Sequence, residues 1–89
     1  MVRNPLLSAV NKLREALESF GPPLRFRKLN GILNALEMQV EDGDYQRHAV
    51  TRLCEALLAT AELYPLPEKE ADDFEQLVLA VVTLVEQRR

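Results

Sequence analysis

The sequence predicts an all-α protein, an antiparallel up-down-up-down bundle of four helices that pairs into a dimer. Three observations predict it. Apolar residues recur at alternating three- and four-residue spacings along most of the chain, the signature of one buried helix face. Each periodic run is closed by proline, glycine or an acidic turn. The connections are only a few residues long, which favours antiparallel neighbours. The 89 residues read as one domain, 1–89, longer than the roughly 70–80 residues below which a core usually needs disulfides or a metal.

The first helix is expected over about 5–20, with Asn4 as N-cap, Pro5 at the first helical position, and Leu6, Val10, Leu13, Leu17 and Phe20 on one face. Gly21-Pro22-Pro23 ends it. The second, about 24–40, aligns Phe26, Leu29, Leu33, Leu36 and Val40 and stops at Glu41-Asp42-Gly43. Asp44 is the expected cap of the third, about 45–64, whose stripe is Val50, Leu53, Leu57, Ala61 and Tyr64, with Cys54 on its flank as a small buried hydrophobe. After Pro65-Leu66-Pro67 the fourth, about 67–87, opens with the acidic run Glu68-Lys69-Glu70-Ala71-Asp72-Asp73, favourable at a helix N-terminus. Its core residues are Phe74, Leu77, Val78, Val81 and Val85. The β-branched residues of this last segment also suit a strand, but no second strand exists for it to pair with, and a lone strand is unstable.

Composition bounds the function. With 47% hydrophobic and 28% charged residues the chain is far from the composition of disorder. The single Cys54 cannot form an internal disulfide, so a cytoplasmic location is expected. Lys12 and Arg14 interrupt the N-terminal apolar stretch too early for a signal-peptide core. The longest uncharged run, the ten residues from Gln76 to Val85, falls short of the roughly 18–20 that span a bilayer, so no membrane partner is expected. Net charge is −3, with six basic and three acidic residues in 1–40 against five and eleven in 41–89. That acidity argues against nonspecific nucleic-acid binding, which needs a basic footprint. In the expected topology the basic start of helix 2 shares an end with the acidic start of helix 4, and Arg88-Arg89 share the other with Glu41, Asp42 and Asp44.

Two helices carry apolar surface beyond their core stripe. On helix 4, Leu79, Val82 and Thr83 lie opposite the core, and a homodimer through them is the expected way to cover the patch; the competing reading makes helix 4 the most buried element, with neighbours on both sides. Helix 2 presents Arg27, Gly31, Asn34, Ala35 and Met38 away from its stripe. A mid-helix glycine costs about 1 kcal/mol relative to alanine, while glycine and methionine together allow close approach and adaptable packing. This is the expected client-binding face, against the plainer reading that Asn30-Gly31 merely bends the helix. Because helices 2 and 4 are diagonal in a square bundle, the two patches are separate surfaces.

Catalysis finds no constellation: the sequence has no glycine-rich phosphate loop and no nucleophile with a readable base, so the chain is read as not an enzyme and as needing no cofactor. His48, beside Arg52 and Glu55, reads as a solvated histidine, and one His with one Cys is too few ligands for a metal. The functional expectation is a small protein-binding regulator: an inhibitor, an antitoxin-like or immunity-like protein, or an adaptor. In size, acidity and helix count the chain is similar to the nuclease immunity proteins of bacteria and other small helical inhibitors, although it carries no motif of theirs. The alternatives are a nucleic-acid-associated regulator using Arg25, Arg27 and Lys28, or a structural subunit of a larger assembly.

Overall fold

Asn4 sets the start of the first helix in two ways. Its extended backbone (φ −104°, ψ 95°) precedes Pro5, and its side-chain oxygen accepts from the Leu7 amide at 3.1 Å, satisfying one of the donors that a helix start leaves over. Its Nδ2 donates to the carbonyl of Val40 at 2.8 Å, filling an acceptor in the last turn of the second helix. The computed structural model describes residues 4–41 and 45–87. It contains α1 (Pro5–Phe20), a 3-10 turn (Pro23–Phe26), α2 (Arg27–Glu41), α3 (Arg47–Ala61) and α4 (Glu68–Gln87), with no strand among the described residues.

The four helices pack together, with α1 and α3 each lying against both α2 and α4. Neither α1 and α3 nor α2 and α4 approach each other, so α2 and α4 occupy opposite corners. The body measures 36 × 21 × 19 Å. One apolar cluster fills the centre, and no polar or charged side chain is buried in it among the described residues. Each fully buried Leu, Val or Phe contributes roughly 1.5–3 kcal/mol of transfer free energy.

The observed stripes follow the periodicity closely on α1 and α2. Leu6, Val10, Leu13 and Leu17 are buried on α1, and Leu29, Leu33, Leu36 and Val40 on α2. Phe26 is buried as expected, but from the 3-10 turn rather than from α2, which begins one residue later. Pro23 keeps Pro22 extended (ψ 148°), and the chain then tightens through an Arg25 amide bond to the Pro22 carbonyl at 3.0 Å before α2 starts.

On α3 the central residue changes. Val50, Cys54 and Leu57 are buried, while Leu53 is half-buried. Cys54 is fully buried in the core, and Leu53 and Leu58 pack against it half-buried. The helix is also shorter than the pattern suggests, from Arg47 to Ala61, with Gln46 at the N-cap making no side-chain capping bond. The expected cap, Asp44, lies outside the described residues, as do Asp42, Arg88 and Arg89. Beyond Ala61 the chain turns through Leu63 and Tyr64, whose amides bond to Thr60 and Ala61. Tyr64 sets its ring against Phe26, with centroids 5.3 Å apart and planes at 53°, a tilted contact of the kind aromatic quadrupoles favour.

The α4 segment is helical throughout and buries Phe74, Val78, Val81 and Val85, with Leu77 half-buried beside them. Glu68 and Glu70 stand in its first turn, where the helix dipole favours them. No helix among the described residues is long and apolar enough to cross a membrane.

Candidate functional site

All five residues expected on the outer face of α2, Arg27, Gly31, Asn34, Ala35 and Met38, are exposed. Three of them border a cleft of about 480 Å³ between α1 and α2. Arg14, Leu17 and Glu18 form its α1 wall, and Arg27, Asn30, Gly31 and Asn34 its α2 wall, while Gly21 and Leu24 close the end where the chain crosses between helices. Leu17 is buried and makes an apolar floor; Leu24 is 86% exposed. Ala35 and Met38 continue the α2 face outside the cleft, Met38 being 73% exposed.

Two glycines flank the site for different reasons. A Cβ on Gly21 would lie 3.2 Å from the Phe26 ring, so the absence of a side chain lets the connection close over a buried aromatic. A Cβ on Gly31 would meet nothing within 4 Å. Among the described residues nothing requires glycine there.

The inner end of the cleft is pinned by Arg14, which donates to Glu37 Oε2 at 2.6 Å and to Asn34 Oδ1 at 2.7 Å. Asn34 is therefore held in place by the opposite wall. At the outer end Arg25 and Arg27 are exposed and join no ion pair among the described residues. The Arg25 guanidinium rests over the Phe26 ring, 5.5 Å from its centroid. The Phe26–Tyr64 contact brings this end near the chain leading into α4, yet no ion pair links Arg25, Arg27 or Lys28 to Glu68, Glu70, Asp72 or Asp73.

Sequence periodicity alone missed Leu24 and the α1 wall. Leu24 carried a signal, since it precedes Gly31 by seven residues and so extends the same stripe. The contribution of Arg14 and Glu18 had none, because it depends on how two helices dock.

The second surface, on α4, is less open. Leu79 is 40% exposed and Thr83 is exposed, but Val82 is half-buried and packs on the core. The Thr83 hydroxyl donates to the Leu79 carbonyl at 2.9 Å, so its hydrogen bond is made within the helix. His48, Arg52 and Glu55 are all exposed on α3. Among the described residues no group of three His, Cys, Asp or Glu side chains is placed to hold a metal ion. Burial pushes the Cys54 thiol up to about 11, with the charge of Glu55 adding to the effect. In comparisons with protein-family models, with curated proteins and with solved structures, the chain matches none of them.

Proposed function

We propose that this protein is a small non-enzymatic regulator, an inhibitor, antitoxin-like protein or adaptor, that binds a protein client through the outer face of α2. Gly31 carries the reading. A glycine in a helix interior costs about 1 kcal/mol relative to alanine, and no neighbour among the described residues occupies the space a side chain would take. The reason for the missing side chain lies outside the chain, in a partner that comes close to the α2 backbone. Exposed Met38 supplies adaptable apolar contact on the same face.

The test uses Gly31→Arg and Met38→Glu in pull-downs from the native cell. Both variants lose the client without unfolding more than a degree or two earlier than wild type, since neither residue is part of the core. Retention of the same client by both variants would sink the reading.

Three further features belong to the same proposal. Bonds from Asn4 to Val40, and from Arg14 to Asn34 and Glu37, support opposite directions for α1 and α2 and with them the up-down-up-down antiparallel topology. A homodimer forms through Leu79, Val82 and Thr83 of α4, supported by the exposure of Leu79 on a helix that lies diagonally from the client face. Sedimentation showing a monomer at high micromolar concentration would remove that part. A cytoplasmic location is supported by a lone, buried, unpaired Cys54. The nucleic-acid reading through Arg25, Arg27 and Lys28 has weaker support, because Phe26, the aromatic nearest these cations in sequence, is fully buried and has no face left to stack on a base.

A further inference from the structure

We infer that the part of the client seated in the α1–α2 cleft is an amphipathic helix, with its acidic end over Arg25 and Arg27; this rests on the client-face reading above. The described residues contain no strand and so offer no backbone edge for an extended peptide to join. Recognition must run through side chains in the groove between two helices. The α2 wall of the cleft runs from Arg27 to Asn34, about two helical turns, a length that two turns of an incoming helix cover. Along α2 the exposed line Arg27, Gly31, Asn34, Met38, with Leu24 ahead of it in the 3-10 turn, has the spacing of a helix-packing seam. Its narrowest side chain stands in the middle, where an incoming helix comes closest.

Charge decides the orientation. The inner cation, Arg14, is already matched by Glu37. At the outer end Arg27 lines the cleft with a single carboxylate, Glu18, with which it forms no ion pair, and the exposed Arg25 lies beside Gly21 at the rim. The first turn of α2 has no acidic residue to offset them or the positive end of the helix dipole. The outer end is thus locally positive on a chain whose net charge is −3. Carboxylates on an incoming helix supply the complement.

The experiment uses the full chain, isotope-labelled, and two synthetic peptides of about 20 residues. Both carry one leucine stripe at i, i+3, i+4 and i+7 spacing; one has glutamates beside the stripe and the other lysines. The overall negative charge of the protein favours the lysine peptide, so a preference for glutamate must arise locally. The glutamate peptide is expected to shift the amides of Leu24, Arg27, Gly31 and Asn34. It should bind roughly tenfold tighter than the lysine peptide, a difference that disappears near 1 M salt, where screening acts within about 3 Å. Arg25→Glu with Arg27→Glu should remove the preference, and Arg27→Glu alone should reduce it, in proteins whose remaining spectra are unchanged. Equal binding of both peptides in the cleft, or preference for lysine, overturns the acidic chemistry and leaves the client face standing. Failure of either peptide to shift the cleft amides overturns the helical occupant, and the client face is then judged by the Gly31→Arg and Met38→Glu pull-downs alone.

Discussion

The outer faces of α2 and α4 both carry apolar surface beyond their core stripes, but the chain treats them differently. On α4 the uncharged run is largely absorbed: Val82 turns to the flank and packs on the core, Thr83 bonds its hydroxyl to its own helix, and Leu79 remains 40% exposed. On α2 nothing absorbs the surplus. Met38 stands 73% exposed, and Gly31 borders a cleft with open space above it. The length of an uncharged run is therefore a poor measure of free surface. What matters is where each residue falls relative to the two neighbouring helices, and α4 directs more of its apolar residues toward them.

The largest expected effect separates Val82 from its exposed neighbours. Val82→Glu should destabilise the folded chain by about 2–3 kcal/mol, because a charge at a half-buried site without a partner is costly. Leu79→Glu should cost no more than about 0.5 kcal/mol. Urea unfolding of the two variants makes the comparison; equal losses would mean that the α4 face is more uniform than its burial indicates. It also makes Leu79→Glu the cleaner probe of dimerisation.

Cys54, at the centre of α3 and between the two surfaces, provides the next test. Its pKa in the folded chain, about 11 against 9.0, means that the folded state holds the proton more tightly than the unfolded one. Stability from the neutral thiol is complete below pH 9, falls as pH rises toward 11, and the loss is of order 2 kcal/mol. Subtracting the pH dependence of Cys54→Ala isolates this contribution from other alkaline titrations. The same thiol reports on the two faces at pH 8: it should stay unreactive toward a thiol reagent in Gly31→Arg and Met38→Glu, and become reactive faster in Val82→Glu.

The two glycines should respond with opposite signs. Gly31→Ala places a methyl group in open space and should raise stability by up to about 1 kcal/mol through helix propensity. Gly21→Ala forces the Phe26 ring to give way in a filled core, and should lower stability by about 1 kcal/mol after the gain in unfolded-state entropy is set against overpacking. A destabilising Gly31→Ala would point to an intramolecular role for that glycine and weaken the client-face reading. The smallest effect belongs to Arg14 and Glu37. Their side chains are 29% and 36% exposed, so a double-mutant cycle should give about 0.5 kcal/mol or less, with the greater consequence being loss of the order that holds Asn34 at the cleft wall.

What could be read from the sequence was local. Proline and asparagine at the start of α1, the glycine-proline stop after Phe20, and the stripes Leu6-Val10-Leu13-Leu17 and Leu29-Leu33-Leu36-Val40 follow from backbone stereochemistry and the 3.6-residue period. Both act within a few residues and need no knowledge of the rest of the chain. The exposed α2 face was legible for the same reason, as the complement of a well-defined stripe. Tertiary structure decided the rest. The placement of Cys54 rather than Leu53 at the centre, the burial of Val82, the need for Gly21 against Phe26 and the pairing of Arg14 with Asn34 and Glu37 depend on the positions of neighbouring helices. Periodicity gives the direction in which a helix must be covered, but the width of the covered arc is set by whatever packs on either side, and that contact joins residues far apart in the chain.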